Sequence, residues 1–150
     1  MASMVKVKVK ELVPPALDWV LAKVEGKTTT ILPPTYGLGY RVTAVTKQNP
    51  LARYWPSTDL VQGSELIDKF GVATRKHHRS GRWYAMLSSH LGDDMRPMWG
   101  EHRYADGGIR VTARFDDPSR LVAAMRAIAG WKFGETVEVP SDLLEAVPCK

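Results

Sequence analysis

A chain of 150 residues, with 44% hydrophobic and 25% charged residues, has the size and composition of one folded domain. It is long enough to bury a core without metals or disulfides, and its composition argues against a disordered chain. The formal charge of +5 favours anionic partners such as nucleic acid, nucleotides or acidic proteins, and the single cysteine, Cys149, excludes an intramolecular disulfide.

The domain is expected over 4–150, with Met1-Ala2-Ser3 a candidate leader or expression scar. No apolar run reaches the length of a membrane span, and the N-terminus lacks the apolar centre of a signal peptide. Val5-Lys6-Val7-Lys8-Val9-Lys10 alternates with a period of two, which predicts a half-exposed strand with lysines guarding its edge. Pro14-Pro15 opens a helix whose Leu17, Val20, Leu21 and Val24 form one apolar face, closed by Gly26. Residues 28–32 have strand composition and stop at Pro33-Pro34. Gly37 and Gly39 mark a turn before a second strand at 40–46.

Pro50 and Pro56 make 49–63 irregular, and Ser64 is expected to cap a short helix over 64–70. The basic run 75–82, with Gly81, predicts a loop or hairpin tip before a strand at Trp83–Ser88. Residues 92–108 hold four glycines and form the longest connection, the expected functional loop. A strand at 109–115 leads to the clearest helix, with Asp117 as its cap and Pro118 in its first position. Leu121, Val122, Met125, Ile128 and Ala129 keep its helical period, and Gly134 ends it. A short strand over 136–139, closed by Pro140, precedes a last helical turn at 141–145. Strands and helices mix without a βαβ repeat, so an α+β fold is expected: a mostly antiparallel sheet with two main helices packed on it.

Three segments carry a family resemblance. They are Val5-Lys6-Val7 through Ala16-Leu17-Asp18-Trp19-Val20-Leu21-Ala22-Lys23; Tyr54-Trp55-Pro56-Ser57-Thr58-Asp59-Leu60-Val61-Gln62-Gly63; and Leu121-Val122-Ala123-Ala124-Met125-Arg126, continuing to Gly134-Glu135-Thr136-Val137-Glu138-Val139-Pro140. In this order, dispersed over nearly the whole chain, they resemble the NinX-like phage family, a domain of unknown function. Leu60-Val61 stands where Trp–Ala is expected, and the 75–108 region is longer and more basic than the pattern. The resemblance implies a phage origin and the host cytoplasm. It supplies no reaction. By class, it implies an accessory role such as counter-defence, including sponges that sequester nucleotide immune signals.

The residues themselves offer no catalytic constellation. Ser57, Asp59 and His90 include the types of a hydrolytic triad, but no nucleophile-elbow motif surrounds Ser57. His77-His78 would diverge on a strand, His90 and His102 are isolated, and no cysteine pair or phosphate-loop motif exists. No enzyme activity, metal or cofactor is therefore expected.

Binding is the better reading. Arg53, Tyr54, Trp55, Ser57, Thr58 and Asp59 join a guanidinium, two rings, two hydroxyls and a carboxylate in one short run. A base can stack on the rings, Arg53 can clamp a phosphate, and Asp59 can accept from a ribose or base edge. The structural alternative is that the hydroxyls and Asp59 cap the next turn while the rings fill the core. Arg75, Arg79 and Arg82 lead the strongest cationic cluster, with Lys76, His77 and His78. On an exposed stripe it suits nucleic acid; folded over a pocket it suits a small anion. Arg126 either enters a pocket beside the long helix or snorkels to water. Trp19 and Trp131 are expected core anchors, and Trp99 an adaptable contact. A nucleotide-type small molecule is the first expected partner, and a homo-oligomer enclosing it would suit sequestration. The alternatives are a nucleic-acid-binding accessory of phage replication or recombination, and an adaptor that inhibits a host protein through residues 95–104.

Overall fold

The computed structural model describes residues 3–88, 100–103 and 109–144. In chain order the elements are β1 (Met4–Lys8), a 3-10 turn (Val9–Glu11), α1 (Ala16–Val24), β2 (Thr29–Leu32), β3 (Arg41–Ala44), β4 (Ala52–Arg53) and α2 (Leu60–Phe70). They continue with β5 (Ala73–Lys76), β6 (Trp83–Ser88), β7 (Gly100–Arg103), β8 (Ile109–Asp117), α3 (Arg120–Phe133), β9 (Thr136–Pro140) and a 3-10 turn (Ser141–Leu144). The fold is α+β, with three α-helices among the described residues rather than two. Its strands form three sheets, ordered β1-β9, β2-β3-β4 and β5-β6-β8-β7, and every pairing is antiparallel.

The two ends of the domain close on each other. Met4 lies opposite Pro140 and Lys8 opposite Thr136, and the Val9 amide donates to the Glu135 carbonyl at 2.9 Å. The Val–Lys alternation is strand only to Lys8; at Val9 the chain tightens into a 3-10 turn that buries the valine fully. α1 differs from a one-faced helix. Every residue from Ala16 to Ala22 is buried, Asp18 included. α3 is the central helix, buried throughout from Val122 to Gly130, and packs on β6 and β8 with α1 and α2 at its flanks. Small residues (Ala123, Ala124, Ala127, Ala129) let these neighbours approach closely.

Helix starts depart from expectation, for one physical reason. A cap is whichever side chain reaches the exposed amides of the first turn. For α2 that is Asp59, whose carboxylate accepts from the Gln62 amide at 3.0 Å, so the helix begins at Leu60 and not after Ser64. For α3 it is Ser119, whose hydroxyl accepts from the Val122 amide at 3.3 Å. Asp117 still belongs to β8, and its carboxylate instead accepts from the Ser119 amide at 2.8 Å. The irregular 49–63 stretch contains β4, which sets Arg53 opposite Thr43.

The 75–82 region is a hairpin, but Arg75 and Lys76 already lie on β5; the tip is 77–82, closed by the His77 amide donating to the Arg82 carbonyl. Within 92–108, residues 100–103 are strand β7 beside β8, and the remainder lies outside the described residues, as do His90 and Cys149. Trp19 is buried in the core, and Trp131 is partly buried with its ring 5.8 Å from that of Phe70. No helix among the described residues is long and apolar enough to cross a membrane.

Candidate functional site

The segment from Arg53 to Gly63 is held by its own side chains. Both the amide and the hydroxyl of Ser57 donate to Asp18 Oδ1 on α1, at 2.9 and 2.7 Å. Gln62 clamps the chain before it. Its Oε1 accepts from the Trp55 amide, and its Nε2 donates to the Arg53 carbonyl, each at 2.9 Å. Asp59 caps the helix. Gly63 then lets the helix lie against the segment: a Cβ there would stand 2.5 Å from the Pro56 carbonyl oxygen.

This bracing shapes one wall of a cleft of about 300 Å3, lined by Pro14, Pro15, Asp18, Tyr40, Arg41, Val42, Arg53, Tyr54, Trp55 and Thr58. The Arg53 guanidinium lies over the Trp55 ring, 3.7 Å from its centroid, so one indole face is already covered by a flat cation. Tyr54 is buried and donates its hydroxyl to Glu25 Oε1 at 2.5 Å. Burial and the neighbouring Glu25 carboxylate raise its pKa, so it stands as a neutral wall. Thr58 sits exposed at the rim, its hydroxyl donating to the Trp55 carbonyl at 3.4 Å.

Two further groups give the cleft its polarity. Asp18 is only 3% exposed, and burial pushes its carboxyl up to about 6; the Ser57 hydrogen bonds and the Arg53 charge oppose that rise. Its Oδ1 holds both Ser57 donors, while no hydrogen bond to Oδ2 is formed among the described residues. Arg41 donates through Nη2 to the Pro33 carbonyl at 3.3 Å and to Thr35 Oγ1 at 2.8 Å. Its Nε is buried without a partner. A cation, an anion and a cation-covered indole therefore face one concavity.

Of the expected site residues, the structure brings Arg53, Tyr54, Trp55 and Thr58 into this cleft. Ser57 and Asp59 support it from behind and do not line it. Arg75, Arg79 and Arg82 stand apart on the β5–β6 hairpin. Arg75, Lys76, His77, His78 and Arg79 are exposed in succession, while Arg82 Nε donates to Asp116 Oδ2 at 2.8 Å, which raises the Arg82 pKa. The rings of His77 and His78 do not diverge; the turn stacks them with centroids 5.4 Å apart. Arg126 neither enters this cleft nor reaches water. It is 7% exposed and donates to the Leu12 carbonyl at 2.8 Å, the Asp116 carbonyl at 3.0 Å and Asp117 Oδ1 at 3.1 Å. No cluster of three metal-ligating side chains occurs among the described residues.

Asp18, Tyr40 and Arg41 were not among the expected site residues. Asp18 has a sequence signal, a lone carboxylate inside the apolar run Ala16-Leu17-Asp18-Trp19-Val20-Leu21-Ala22. Arg41 has none, because an arginine opening a strand is ordinary.

The described residues thus form an α+β fold carrying a cleft of mixed charge with an aromatic wall. No protein-family model matches the chain, and no curated protein is similar to it in sequence.

Proposed function

We propose that the protein is a non-enzymatic binder of an anionic, nucleotide-type ligand, taken into the cleft between α1, β3 and the 53–58 segment. The observation that carries this reading is the convergence of Arg41, Arg53, Trp55 and Asp18 on one concavity. Guanidinium groups suit a phosphate or the acceptor edge of a base, one stacked on an indole offers a flat cationic face to a ring, and a carboxylate accepts from an amine or imide. The volume of about 300 Å3 lies at the lower end of the range for small-ligand sites, about 300–1,000 Å3. The hydroxyl bonded to a carboxylate, Ser57 Oγ, is 1% exposed and does not line the cleft, which supports binding over group transfer.

The resemblance to NinX-like phage proteins supplies the context for this proposal. In it, the protein works in the host cytoplasm and sequesters a nucleotide immune signal. Sequestration needs tight binding and slow release. A homo-oligomer that closes the cleft with a second copy would lengthen the residence time. The test is calorimetric titration of mononucleotides into the protein and into the double variant Arg53→Ala, Trp55→Ala. The variant is expected to fold and to lose at least roughly ten-fold in affinity, the effect of about 1.4 kcal/mol. Unchanged affinity in a folded double variant overturns the site.

A second reading has its own observation. The exposed run Arg75-Lys76-His77-His78-Arg79 lies on a hairpin, as a nucleic-acid contact should. Such binding would weaken steeply with salt and strengthen with strand length. A gel-shift without retardation at low salt removes it.

A further inference from the structure

We infer that Asp18 reads the base in this cleft and selects a nucleotide whose base presents adjacent N–H donors, as guanine does. This rests on the cleft being a nucleotide site.

The hydrogen-bond inventory of the cleft leaves two unmet groups of opposite kind. One is an acceptor. Asp18 Oδ1 already holds the Ser57 amide and hydroxyl, and Oδ2 has no donor among the described residues although Asp18 lines the cleft. The other is a donor group, the Arg41 guanidinium, which lines the cleft and whose Nε has no partner. A carboxylate oxygen without a donor gains from one, and the Arg41 guanidinium lining the same cleft favours an acceptor, so a ligand offering both is complementary to it. The ligand should therefore carry donors toward Asp18 and an acceptor toward Arg41.

The pairing edges of the bases separate on this requirement. Adenine and cytosine each place a ring acceptor beside their exocyclic amine, so a carboxylate oxygen meets one attraction and one repulsion. Uracil flanks its single N–H with two carbonyl oxygens. Guanine alone sets its N1–H and N2–H2 side by side, and its O6 and N7 are good acceptors for an arginine. The Arg53 guanidinium over Trp55 remains for the ring face or the phosphate.

The experiment is calorimetric titration of GMP, IMP, AMP, CMP and UMP into the protein and into Asp18→Asn, well above the pH at which Asp18 protonates. Asparagine keeps an acceptor for Ser57 and puts an amide donor where Oδ2 stood. The unsubstituted protein is expected to prefer GMP by roughly ten-fold or more, the size of one good base-edge pair, with IMP weaker for want of the N2 amine. Asp18→Asn is expected to lose that preference. Equal binding of all five nucleotides, or a GMP preference that survives in folded Asp18→Asn, overturns the inference and leaves the nucleotide site standing. Absence of binding to any of them overturns both.

Discussion

At the scale of single residues, Asp18 is the group whose behaviour is most open to measurement. It lies in the buried run 16–22 of α1, whose other residues are all apolar, and burial pushes its carboxyl from 3.8 up to about 6. The charged groups that face it are the guanidinium groups of Arg53, which opposes the rise, and Arg41 across the cleft. Because the folded-state pKa is the higher one, the folded chain binds this proton more tightly than the unfolded chain. The associated stability is complete below about 3.8 and is lost as pH rises through about 6. A gap of about two units corresponds to about 3 kcal/mol. Urea unfolding of the parent protein is therefore expected to show stability falling between about pH 4 and pH 6 by an amount that Asp18→Asn does not show. Superimposable pH profiles would mean that the carboxylate is solvated. Ligand binding should run the opposite way. A base that donates to Asp18 needs the charged form, so nucleotide affinity should fall as the pH drops below about 6.

At the scale of elements, the 53–63 segment explains why its run of residues is so specific. Ser57 is anchored to α1, Asp59 starts α2, Gln62 ties the segment to its own helix, and Gly63 permits the contact with Pro56 and with Leu121 of α3. Gly63→Ala tests that account. The added methyl would stand 2.5 Å from the Pro56 carbonyl oxygen and 2.6 Å from Leu121 Cδ2, and the backbone oxygen cannot move away as a side chain can. A loss of about 1–3 kcal/mol is expected, read as a lowered thermal midpoint. A parent-like midpoint would show α2 standing further off. The same segment shows where sequence reasoning stops. Alternation and the Gly/Pro breaks located most of the strands, because a period of two survives without knowledge of the partner strand. Helix starts were misplaced where several capping types crowd together. Ser57, Thr58, Asp59 and Ser64 all offer an oxygen, and only the three-dimensional path decides which one meets the free amides. Of the cleft's lining residues, Arg53, Tyr54, Trp55 and Thr58 were legible in one short run. Asp18 left a signal of its own, a carboxylate inside an apolar run, but Arg41 left none, and both join the cleft only through helix and strand packing far from that run in sequence.

At the scale of the whole molecule, the candidate ligand-binding arginines divide between two places, the cleft beside α1 and the β5–β6 hairpin, and Arg126 has a different task. Arg126 lies within the central helix and bonds to the backbone of Leu12 near the beginning of the chain and to Asp116 and Asp117 at the end of β8. It thereby joins the chain entering α1, the four-stranded sheet and α3 at one buried point. Arg126→Met keeps much of the side-chain length and removes every donor. It would leave two carbonyl oxygens and the Asp117 carboxylate without the Arg126 donors, and breaking one side of a buried ion pair costs about 3–5 kcal/mol. That is a large share of the stability of a domain of this size, typically about 5–15 kcal/mol. Arg126 lines neither the cleft nor its neighbour on the other side of Tyr54, so nucleotide affinity in the folded fraction should be unchanged. The expected pattern is a sharply lowered unfolding midpoint with parental affinity, measured by denaturant unfolding and by calorimetry on the same preparation. The reverse pattern, a parental midpoint with lost affinity, would make Arg126 a ligand contact and would move the binding site toward the β8–α3 junction.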